Sequence, residues 1–86
     1  MNQLFKVISQ SKPVEINTKA GSTQKSTLVL QDLGGKYENA YVASLLGNQI
    51  QFSEGDIVWA ALRFSVREHN DALYQDIVVK EIGLVH

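Results

Sequence analysis

The stretch EGDIVWAALRFSVREHNDALYQDIVVKEI, residues Glu54 to Ile82, decides how the chain folds. Two runs rich in Val, Ile, Leu and aromatic residues, Ile57 to Val66 and Leu73 to Ile82, flank a polar break at Glu68 to Asp71. Such side chains fit a pleated, half-buried surface, so the pair predicts two antiparallel strands joined by a loop. If Val58, Ala60, Leu62 and Phe64 face a core, the period of two puts Ile57, Trp59, Ala61 and Arg63 on the outer face. An apolar outer stripe with a Trp reads first as a subunit interface made by Ile57, Trp59 and Ala61. A stacking platform and a register shifted by a bulge come second and third.

Toward the N-terminus the same strand-and-turn rhythm continues. Tyr37 to Leu46 (YENAYVASLL) fits a strand better than a helix, because the run is short and sits between Gly34-Gly35 and Gly47-Asn48. Lys25 to Gln31 (KSTLVLQ) is a strand of β-formers, and Leu4 to Ile8 (LFKVI) supplies the first strand. Pro13 has no amide hydrogen to donate and predicts an edge, bulge or bend. Asn17 to Gln24 (NTKAGSTQ) has no apolar periodicity and is expected to be a flexible loop. Asn48 to Ser53 leaves room for at most one short helical turn between the third and fourth strands. The sum is all-β: five strands in about eighty residues, spaced for a small closed or nearly closed barrel.

Composition bounds the function. Eighty-six residues, 44% hydrophobic and 20% charged, make a single domain spanning residues 1–86 with a limited core. There is no cysteine, which excludes disulfides and thiolate metal sites and points to a cytoplasmic protein. No segment has the roughly 18 apolar residues of a membrane helix, so no membrane partner is expected. Eight Lys and Arg against nine Asp and Glu give a net charge of -1, which withholds the broad basic field of most nucleic-acid binders. Only a local patch can supply such a field.

Several short signatures recur in a specific order. They are the LFKVI strand, TKAG (Thr18 to Gly21), Gln24-Lys25 followed by LVL (Leu28 to Leu30), Tyr37, LLGN (Leu45 to Asn48) and EGD (Glu54 to Asp56). The series ends with Phe64, Arg67, Glu68 and Asn70, then Tyr74, Asp76 and Ile77. In order and spacing the chain resembles, over nearly its whole length, a small bacterial family of OB-fold proteins related to single-stranded DNA-binding proteins. That family usually has a glycine after the hairpin Asn and an aromatic near the end of the fifth strand; here Asp71 and Lys80 stand there. The resemblance implies a five-stranded OB-fold barrel, single-stranded DNA as ligand, and replication or repair proteins as partners.

On an OB barrel single strands lie across the second and third strands, with the neighbouring loops closing over them. The expected nucleic-acid-binding residues are then Lys19, Lys25, Lys36, Tyr37, Tyr41, Arg63 and Arg67, with Lys12 and His69 nearby. Lysine and arginine would track phosphates and tyrosine would stack on bases; otherwise the tyrosines are barrel aromatics and the lysines solvated. Arg67 and Glu68 beside Asp76 are expected to pin the hairpin as an ion pair. A lone His69 among Glu68, Asp71 and Asp76 is a weak metal signal, and no nucleophile motif or phosphate loop is present, so neither enzyme nor cofactor is expected. Two functions follow: a non-sequence-specific single-strand binder that works as a homo-oligomer, or an oligomeric protein-protein interaction module without nucleic acid.

Overall fold

The computed structural model describes residues 2–34, 39–47 and 50–85. It contains β1 (Asn2–Gln10), β2 (Val14–Thr18), β3 (Gly21–Asp32), β4 (Ala40–Leu46), β5 (Ile57–His69) and β6 (Ala72–Leu84). Five of these close a ring: β1 pairs with β3, β3 with β4, β4 with β6, β6 with β5, and β5 returns to β1. All pairings are antiparallel except β4 with β6, which meet at Ser44 and Val78. This ring is the expected five-stranded barrel. Among the described residues there is no helix, so none is long and apolar enough to cross a membrane.

Closing so few strands demands strong bending, which two bulges supply. In β1 the register against β3 shifts between Val7 and Ser9, leaving Ile8 as the extra residue. In the β5–β6 pair Ala61 faces Glu81 but Leu62 faces Val79, leaving Lys80 extra. The first bulge lets β1 serve two neighbours, with Asn2 to Lys6 on β5 and Phe5 to Gln10 on β3.

Alternation fills the interior. Phe5, Val7, Leu28, Leu30, Ala43, Leu45, Val58, Ala60, Leu62 and Val79 form one buried cluster, with Tyr41, Phe52, Ile77 and Ile82 packed against it. Alanines at 43 and 60 suit a barrel too narrow for large side chains at every position. Where a helical turn had room to form, the described residues instead give a plug and a turn. Phe52 packs on the core, its amide donates to Gln10 Oε1 at 2.8 Å, and Gln10 Nε2 donates to the Ile50 carbonyl at 3.0 Å. The EGD signature is the following turn. Asp56 N donates to the Ser53 carbonyl at 3.0 Å, and Gly55 takes φ 90, the left-handed region that glycine alone enters freely. Gly55 N and Asp56 O then bond to the carbonyl and amide of Val7, which docks the turn on β1.

Two expectations change. Asn17 to Gln24 is not a flexible loop: β2 and the start of β3 pair from Val14↔Lys25 to Thr18↔Gly21, turning at Lys19-Ala20. Thr18 Oγ1 accepts from Ala20 N at 3.2 Å and donates to Gly21 O at 2.7 Å, which pins that turn. This strand projects from the barrel with only Ile16 half-buried, and its apolar alternation, Val14 and Ile16, ends before Asn17 to Gln24 begins. The last hairpin is also longer than its apolar runs. It turns on Asn70-Asp71 alone, with φ 51 and 62, as a two-residue turn with both central residues left-handed requires.

Candidate functional site

Both hairpins outrun the ring. Among the described residues β5 loses its pairing to β1 after Ala61 and β6 pairs with β4 only at Val78, so beyond Phe64 and Ile77, which still pack on the barrel, 65–69 and 72–76 form a two-stranded arm. β2 with the first residues of β3 forms a second arm. Between the two lies an open cleft of about 270 Å³, floored by Ser44 and Leu46 of β4 and Val78 of β6. Its walls are Ile16 and Lys25 on one side and Ser65, Arg67 and Asp76 on the other. The floor follows from alternation: Ala43 and Leu45 point inward, so Ser44 and Leu46 point out.

The polar wall is organised around Arg67. Its Nε lies 3.4 Å from Asp76 Oδ2, the ion pair expected from sequence, and both side chains remain largely exposed. Such a pair adds about 0–1 kcal/mol to stability and fixes geometry only loosely. The Arg67 guanidinium also stands 5.8 Å from the ring centre of Tyr74, its partner across the hairpin. Tyr74 is 48% exposed and offers a flat face beside the cleft.

Of the residues expected to bind nucleic acid, the structure brings Lys25 and Arg67 into one cleft. Arg63 shares the outer face of β5 but lies beyond the cleft lining, opposite Val78. Lys19 sits exposed at the tip of the β2–β3 turn. Lys36 and Tyr37 lie outside the described residues. Tyr41 is placed as the barrel aromatic of the alternative reading: it shares the inward parity of Ala43 and Leu45, and its ring lies edge-on between Phe5 and Phe64 at 6.0 and 6.2 Å. Its hydroxyl donates to Asp32 at 3.4 Å, and Gln3 donates to the other oxygen of the same carboxylate. Partial burial, then the Asp32 charge and hydrogen bond, push the Tyr41 hydroxyl above its ordinary pKa. The outward position beside it is Val42, 63% exposed. Among the described residues no group of three potential ligands could hold a metal ion.

The outer stripe on β5 is also redistributed. Trp59 is 38% exposed, but Ala61 is only 8% exposed within its own chain and Ile57 is half-buried. The apolar neighbour that accompanies Trp59 at the surface is Leu4, directly opposite on β1 and 45% exposed. Sequence reasoning missed Leu4, Tyr74 and Val42. The pairing of two expected strands, 57–66 with 73–82, was enough to set Tyr74 near Arg67 once the two-residue turn was fixed.

Compared with solved structures, the chain superimposes on the second OB-fold domain of replication protein A from Methanococcus maripaludis, a solution NMR structure, with a TM-score of 0.69. The match covers 98% of this chain and 81% of that one at 22% sequence identity. The chain has the OB fold. Neither a protein-family model nor a curated protein matches it. In OB terms β3 and β4 are the second and third barrel strands, the β2–β3 turn lies in the connection between the first and second, and the β5–β6 turn joins the last two. The cleft therefore occupies the face on which OB folds take oligomeric ligands.

Proposed function

We propose that the chain binds single-stranded nucleic acid, without reading base sequence, across the cleft between its two arms. The observation that carries this is the convergence of Lys25, Arg67 and the exposed ring of Tyr74 on one open outer face. The two cations meet phosphates, and Tyr74, with Arg67 beside it, stacks on a base. The apolar floor and wall, Leu46, Val78 and Ile16, accept sugar and base edges without selecting among them. Support also comes from the solved OB-fold neighbour, whose name is that of a replication protein, and from the EGD, Arg67-Glu68 and Tyr74 to Ile77 spacing, which resembles that of a small bacterial family of OB-fold proteins related to single-stranded DNA-binding proteins. A cytoplasmic place and replication or repair partners accompany this function.

The test is fluorescence anisotropy of a labelled oligothymidylate of about 16 nucleotides, the upper end of OB-fold site sizes, against a duplex of the same length. Binding to the single strand should weaken as salt rises from about 0.05 to about 0.2 M, with a small slope because few phosphates are neutralised. Equal or tighter binding to duplex, or none at any salt, would sink the proposal.

Leu4 and Trp59 favour an oligomer, which serves either as a way to multiply a weak site or as an interaction module in its own right. Light scattering should find the wild type larger than a monomer, and Trp59→Ala should shift it to the monomer. A monomeric wild type removes this part of the proposal.

A further inference from the structure

Among the described residues Asp76 is the one acidic residue in the cleft lining, and it stands on the guanidinium that the proposed function assigns to phosphate. Resting on that proposal, we infer that Asp76 limits affinity: its carboxylate occupies Arg67 and repels the incoming phosphate, so it acts as a built-in competitor for the ligand. Two opposite roles are open to a carboxylate so placed. It could hold Arg67 in position, which strengthens binding, or it could cancel the charge, which weakens it. Exposure decides between them. The pair is solvated on both sides, with side-chain exposures of 64% and 43%, so it orders the Arg67 side chain only weakly. Its charge nevertheless stays in the cleft whatever Arg67 does. Among the described residues of the lining, Lys25 and Arg67 against Asp76 leave one net positive charge, and neutralising Asp76 doubles that.

Asp76→Asn separates the two roles, because the amide has the same shape and its oxygen can face Arg67 Nε as the carboxylate does, while the charge is gone. With the same oligothymidylate probe, Asp76→Asn should bind about fivefold more tightly at low salt, the factor given by one unit charge removed at about 4 Å in water. The gain should shrink at about 0.2 M salt as screening grows. An unchanged urea midpoint for Asp76→Asn, followed by Trp59 fluorescence, ties the gain to the cleft. If Asp76→Asn binds no better than a wild type that does bind, the inference falls and the proposed function stands. If neither protein binds, both fall together.

Discussion

Phe5→Ala should leave the chain unfolded or close to it at room temperature. Phe5 is fully buried, faces Asp32 on β3 and Val58 on β5, and meets the Tyr41 ring edge-on at 6.0 Å. Truncating a buried Phe typically costs about 3–5 kcal/mol, through lost transfer energy and the cavity left behind. A chain of this length holds only about 4–13 kcal/mol in total. The site also resists collapse, because β1 is the strand at which the ring closes and cannot settle toward one neighbour without leaving the other. With a urea slope of about 1 kcal/mol/M, the midpoint in far-ultraviolet circular dichroism should fall by about 3 M or more. A fall of less than about 1 M would mean that β1 does not close the barrel as described.

The second large effect concerns the ligand. Lys25→Glu together with Arg67→Glu should weaken oligothymidylate binding on the order of a hundredfold, while each change alone should give about tenfold. In water a unit charge beside a phosphate is worth about 1 kcal/mol at contact, and reversing it turns attraction into repulsion, so two contacts supply more than a hundredfold requires. Neither residue belongs to the core, so the double variant should fold as the wild type does. Lys6→Glu makes the same change in net charge as either single variant, but from the outer face of β1 beyond the cleft lining. It should alter binding less than about twofold, because solvated charges farther apart than about 10 Å are largely screened. Equal losses from Lys6→Glu and Lys25→Glu would show that overall charge, not the cleft, drives association.

How far the sequence announces all this depends on whether a residue has a face to bury. The barrel strands do, and the alternation from Val58 to Leu62 and the β-formers from Leu28 to Leu30 mark them correctly. The arms do not. Val14 to Thr18 is exposed except for a half-buried Ile16 and Arg67 to His69 is exposed throughout, so the first offers a single step of apolar alternation and the second none. Tyr41 has two readings, a stacking face or a barrel aromatic. An aromatic on the third barrel strand suggests a stacking face, yet its parity with Ala43 and Leu45 assigns it to the interior, and that parity was present in the letters YVASL. Ala61 shows a further limit, since alternation puts it outside but cannot say that a methyl group lying flush in a tight barrel wall is covered by its own chain. Tyr74 and Asp76 needed the turn before they could be placed, because only the two-residue Asn70-Asp71 connection sets Tyr74 opposite Arg67 and Asp76 opposite Ser65.

The period of two has one more consequence, visible in β4. Along Tyr41 to Leu46 the residues that pack inward and those that face the outer side interleave one by one, and from Lys25 to Val29 on β3 half-buried outward residues alternate with buried ones in the same way. Each strand thus carries two independent texts on one backbone. Lys25, Ser44, Leu46, Arg67 and Asp76 can be rewritten while the buried text is left intact, so the surface can change its ligand faster than the molecule changes its shape. For redesign, the outer positions form an alphabet open to wholesale exchange, and the inner ones a scaffold to be copied letter for letter.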